Sequence, residues 1–200
     1  MTNPPLINRR QFIQLVAIAS ASWPLISHAE KKTLGKDTDL VYKNLSDPWL
    51  TLASVQEHLF PADDTSPGAK DIFALRYLQS TLSAPNADKE DVDFIYQGVG
   101  WLNDLSTTMH KNKFIKLNSD EKEKVLRKIE TSRAGNRWLS SMMTYLIEAL
   151  LSDPVYGGNK DQKGWKWLEH QPGFPLPTTQ QVYFNLVNHS QKNTRRRTKS

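Results

Sequence analysis

The stretch Trp138-Leu139-Ser140-Ser141-Met142-Met143-Thr144-Tyr145-Leu146-Ile147-Glu148-Ala149-Leu150-Leu151 decides the fold class. Its apolar residues recur at helical spacing and cover most of the circumference. A helix apolar on most faces has to be surrounded, so this segment predicts a central buried helix with others packed round it. Gly135-Asn136 just before it reads as the break from the preceding element.

Working back from there, Asn118-Ser119-Asp120-Glu121 is a cap, and the helix after it runs to about Ser132 with Val125, Leu126 and Ile129 inward. Asp88 to Met109 predicts a longer helix, acidic in its first turn as the helix dipole prefers. Its apolar positions are Val92, Ile95, Tyr96, Val99, Leu102 and Leu105. Gly98 and Gly100 weaken its middle by ~1 kcal/mol each relative to alanine, and mark a close approach of another backbone. Ile72, Leu75, Tyr77 and Leu78 give a helix of about three turns. Ser46-Asp47-Pro48 starts the first one, whose Leu50, Leu52, Val55, Leu59 and Phe60 share a face until Pro61. No alternating strands and no repeats occur. The expected fold is all-α: a small irregular helical bundle with a Gly/Pro/aromatic-rich C-terminal loop segment.

Composition narrows the chemistry. The 200 residues include no cysteine. That excludes disulfides, thiolate nucleophiles, Cys-ligated zinc, iron–sulfur clusters and c-type haem attachment. The net charge of +5 sits at the two ends. Arg9 and Arg10 lie at one, and Lys192, Arg195, Arg196, Arg197 and Lys199 at the other, which leaves residues 30–191 at about −2. Residues 191–200 read as a basic disordered tail, either solvated or facing an acidic partner or anionic lipid headgroups. Nucleic acid is not expected as a partner. His58, His110, His170 and His189 lack metal-ligand spacing. Asp63-Asp64 reads as a turn pair. Tyr156-Gly157-Gly158-Asn159 lacks the lysine and Ser/Thr of a phosphate loop, and no Gly-x-Ser-x-Gly occurs. No catalytic, cofactor or metal residue is assigned.

After Leu151 the chain changes character. Asp153-Pro154-Val155-Tyr156-Gly157-Gly158-Asn159 leads to Gly164-Trp165-Lys166-Trp167, then to Gln171-Pro172-Gly173-Phe174-Pro175. Gly157 and Gly158 permit left-handed backbone and Asp153-Pro154 and Asn159 favour turns. Four aromatics in such a loop have to pack on something, either the domain's own core or a partner.

The front end is equally marked. Asn8-Arg9-Arg10-Gln11-Phe12, a weakly apolar stretch, and Ser27-His28-Ala29 make up a twin-arginine export signal with cleavage expected after Ala29. The alternatives are an ordinary secretory signal and an uncleaved anchor. The expected organisation is a signal over 1–29, a linker over 30–45 and a helical domain over 46–190. The mature chain is expected to be periplasmic, without a membrane span, and held at any membrane through partners.

Together, the twin-arginine leader, Leu59-Phe60-Pro61 followed by Gly68-Ala69, and the closing Asp153-Pro154-x-Tyr156-Gly157-Gly158-Asn159 with Gly164-Trp165-Lys166 resemble the gluconate 2-dehydrogenase subunit 3 family. The resemblance implies a non-catalytic small subunit. FAD and sugar oxidation would belong to a partner flavoprotein of the glucose–methanol–choline type. In such complexes a multihaem cytochrome c subunit often takes the electrons. The small subunit would support maturation of the flavoprotein and carry it, folded, to the twin-arginine translocase through Arg9, Arg10 and Phe12. Tyr156, Gly157, Gly158, Asn159, Trp165, Trp167 and Phe174 are then the candidate partner interface. The link from Trp167 to Gln171 and the tail after Pro177 depart from the family's pattern. The rival reading is a stand-alone periplasmic α-helical binding module.

Overall fold

A computed structural model describes residues 45–182, which lie within one compact unit. The export signal (Arg9, Arg10, Phe12, Ala29), linker residues 30–44 and the tail over 191–200 lie outside the described residues. The helices are α1 (Trp49–Leu59), α2 (Ala74–Leu82), α3 (Lys89–His110), α4 (Ser119–Glu130), α5 (Arg133–Leu151) and α6 (Lys163–Trp167). No strand occurs among the described residues, so the fold is all-α. None of the described helices is long and apolar enough to cross a membrane.

Short polar side chains set the helix starts. Asp88 accepts from the Glu90 amide at 2.8 Å and opens α3. Asn118 and Glu121 form a reciprocal capping box at α4, with bonds of 2.9 and 3.0 Å. Asp47 works differently from a simple cap: it accepts from the Thr51 hydroxyl at 2.7 Å. Leu45, at the end of the expected linker, already packs against the core.

The break before α5 is not at Gly135-Asn136. Ser132 caps α5 by accepting from the Gly135 amide at 3.0 Å, so the turn falls at Thr131-Ser132. Gly135 lies inside the first turn for a packing reason: a Cβ there would stand 2.1 Å from the Ile129 carbonyl oxygen. Ile72 likewise precedes α2 rather than beginning it, yet it is fully buried.

Helix α5 is the hub, packing against each of the other five helices. It buries one face (Trp138, Met142, Leu146, Ala149) while Ile147 and Leu151 are exposed, so it is central without being enclosed. Its first half joins α1, α3 and α4 in the main core; its second half closes a smaller cluster with Ala69, Ile72 and Ala74. Trp138 is fully buried, and its indole N–H donates to the Ile95 carbonyl of α3 at 3.0 Å. This explains Gly98. A Cβ there would fall 2.1 Å from the indole, so the close approach is by a side chain and not by a backbone. Gly100 faces open space.

Candidate functional site

The C-terminal turn of α5 leaves carbonyls that no helical amide can reach. The loop that follows satisfies them with side chains. The Asn159 amide donates to Ser152 O at 3.0 Å, and the Trp165 indole N–H donates to Leu151 O at 2.7 Å. Asn159 also accepts from the Gly164 amide at 2.8 Å, which closes the loop on itself. Two glycines allow this intimacy: a Cβ on Gly158 would stand 2.7 Å from Ala149 O, and one on Gly164 2.1 Å from Leu150 O. The segment expected as plain loop therefore contains α6 and two 3-10 turns, Pro154–Tyr156 and Lys160–Gln162.

The other side of the loop grips the α1–α2 connection. Trp167 packs on Phe60 with ring centroids 6.2 Å apart, Lys160 lies over the Phe73 ring at 4.6 Å, and Lys163 pairs with Asp71 at 3.7 Å. Within the first 3-10 turn, Asp153 accepts from the Val155 amide at 2.9 Å and Pro154 takes the first position. Gly157 then turns with φ +98°, its missing Cβ 3.1 Å from Ser80 Oγ. The effect of these devices is to set Tyr156 against the end of α2.

Tyr156 there lines a cleft of about 330 Å³ with Tyr77, Tyr145, Ser80, Thr81 and Asp91. The cleft runs from the end of α2 to the start of α3, with α5 beside it. The Tyr77 hydroxyl donates to Glu148 at 3.2 Å. Burial, then the charge of Glu148, pushes the Tyr77 phenol up to about 12. Burial, then Asp91 and Glu148, also raises Tyr145. Both phenols stay protonated at neutral pH and serve as hydrogen-bond donors and aromatic faces.

The interface candidates separate by burial. Gly158, Asn159 and Trp165 are interior and build the loop. Tyr156, Gly157 and Trp167 are half-buried. Phe174 is 96% exposed, well apart in character from the rest. The histidines are engaged separately: His58 with Glu123 at 2.8 Å, His110 near Glu121 at 3.7 Å, and His170 beside the Trp165 ring. Asp63 accepts from the Thr65 and Ser66 amides and from the Thr65 hydroxyl, which hold its carboxyl down at about 2, so it is a turn former. Among the described residues no cluster of three or more His, Asp or Glu gathers to hold a metal.

Sequence reasoning missed Tyr77, Tyr145 and Asp91 as site residues. Both tyrosines read as core positions of their helices. The available signal was their type, since a phenol on an apolar face needs a polar outlet that leucine does not.

The model of the family described as gluconate 2-dehydrogenase subunit 3 matches residues 46–173. It spans α1 through α6 and the loop that sets Tyr156, and stops just short of the exposed Phe174. No curated protein and no solved structure matches the chain. With well over half of its length inside that match, the chain belongs to the gluconate 2-dehydrogenase subunit 3 family.

Proposed function

We propose that this chain is the non-catalytic small subunit of a periplasmic flavin-dependent dehydrogenase of sugars, sugar acids or alcohols. It supports maturation and twin-arginine export of the catalytic flavoprotein. The family match over 46–173 carries the reading. The Asn8-Arg9-Arg10-Gln11-Phe12 leader supports the export role. A route that moves folded proteins suits a small subunit whose partner has to fold around FAD before it crosses. Linkage accounts for maturation: a subunit that binds only the native flavoprotein raises the stability of that state. FAD resides on the partner, and haem on any cytochrome c subunit that takes its electrons.

Export separates this from a stand-alone binding module. The chain is co-expressed with the flavoprotein encoded nearest to it, with Arg9 and Arg10 intact or both changed to lysine. The expected result is loss of at least nine-tenths (roughly) of flavoprotein activity from the periplasm, with the flavoprotein retained in the cytoplasm. Undiminished periplasmic flavoprotein in the lysine variant overturns the carrier role.

A further inference from the structure

The tyrosine cleft has a definite electrical character. Its lining holds the carboxylates Asp88 and Asp91 and no lysine or arginine, and Glu148 stands behind the Tyr77 hydroxyl. Tyr77, Tyr145 and Tyr156 line the same space, and an aromatic face attracts cations. Ser80 and Thr81 add hydroxyl acceptors at the wall. The start of α3 would by itself favour an anion, but the Asp88 cap and the first-turn Glu90 and Asp91 already answer it. Asp88 already accepts from the Glu90 amide and Glu148 from the Tyr77 hydroxyl, and the Arg76 side chain lies outside the lining beyond Gly157, so Asp91 is the carboxylate left to meet an entering cation. The volume of about 330 Å³ is at the small end for a ligand pocket and suits one long side chain.

We propose that this cleft receives an arginine or lysine side chain presented by a segment of the partner subunit, an assignment that rests on the subunit reading above. Asp91 is exposed at the rim, where an entering cation meets it first. The tyrosines then enclose the aliphatic stem while the charged head reaches the carboxylates. On this account the Asp153-to-Gly164 loop exists to hold Tyr156 as one wall of that receptor.

The full chain, isotope-labelled, is titrated with a blocked Gly-Arg-Gly peptide, and with blocked Gly-Glu-Gly as control, while amide shifts are followed. Shifts are expected at Asp91, Tyr145 and Tyr156 with the arginine peptide only, saturating at roughly millimolar concentration and weakening with salt. Asp91→Lys should weaken binding at least about tenfold, as expected when attraction turns to repulsion. The same variant should lose most of the co-purifying flavoprotein. Asp91→Asn is the second variant, used should the lysine lower the thermal midpoint. If the variants keep the full amount of flavoprotein while losing the peptide, the inference fails and the subunit reading stands. If the peptide binds only after residues 191–200 are removed, the chain's own Arg195-Arg196-Arg197 is the occupant and the inference also fails. If the unaltered chain retains no flavoprotein at all, both readings fall.

Discussion

Two alanine substitutions in α3, two residues apart, should change stability in opposite directions. At Gly100 nothing lies within 4 Å of an added Cβ, so Gly100→Ala adds only helix propensity. The gain is ~1 kcal/mol. At Gly98 the added Cβ falls 2.1 Å from Cδ1 and Nε1 of Trp138 and 2.4 Å from Cε2. An overlap of that size cannot be relieved by a few tenths of an ångström. Either α3 and α5 part, or the indole leaves its site and gives up the bond to Ile95 O. Losing a buried tryptophan costs about 3–5 kcal/mol. Less the ~1 kcal/mol propensity gain, Gly98→Ala should destabilise by about 2–4 kcal/mol. For a domain of this size that is a fall of roughly 6–12 °C in Tm, against a rise of ~3 °C for Gly100→Ala. Urea unfolding followed by tryptophan fluorescence and far-UV dichroism measures both. Equal stabilities for the two variants would mean that Trp138 is not seated on α3 at Gly98, and the α3–α5 packing would be wrong.

Asn159→Ala should cost about 2–4 kcal/mol, since it leaves Ser152 O and the Gly164 amide without their buried partner; urea midpoints measure it, and a change below ~0.5 kcal/mol would refute the clasp. The Tyr77 phenol, raised from 10.0 to about 12, favours the folded state below pH 10, and that contribution is lost as pH rises from 10 through about 12. Glu148→Gln removes the nearby charge and should bring Tyr77, and with it Tyr145, to ionise at lower pH; absorbance titration at alkaline pH reads this, and unchanged curves would refute the assigned field.

Much of the bundle was legible because local chemistry and tertiary packing agree there. Asp88 and Asn118 cap the helices their side chains predict, and Pro61 follows directly on α1. Gly135 reads as a helix break and Gly158 as a left-handed turn residue, but each, like Gly164, is a contact residue set against a neighbouring carbonyl, and among the described glycines only Gly157 takes positive φ. Helix α6 was hidden for that reason, and because Asn159, Asp161 and Gln162 just before it take positive φ, which composition does not announce. The burial of the hub helix was overestimated because apolar count does not say how many neighbours arrive: Ile147 and Leu151 remain exposed. The cleft was beyond the sequence altogether. Tyr77, Tyr145 and Tyr156 come from three separate segments, and only the fold brings them together.

The way Tyr156 is held bears on how the cleft can work. Its turn is fixed on one side to the last carbonyls of α5 through Asn159 and Trp165, and on the other to α2 through Gly157. The same loop is anchored to the α1–α2 connection by Trp167, Lys160 and Lys163. Tyr77 and Tyr145 project from α2 and α5, which pack directly on each other. A lid would need a segment with few such attachments. This site is braced on several sides, which suits a surface formed before a partner arrives. Recognition by a preformed surface avoids the cost of ordering loops on association. If the proposed subunit role holds, that rigidity helps, because any free energy taken up in ordering this chain would be subtracted from the stabilisation its binding gives the partner.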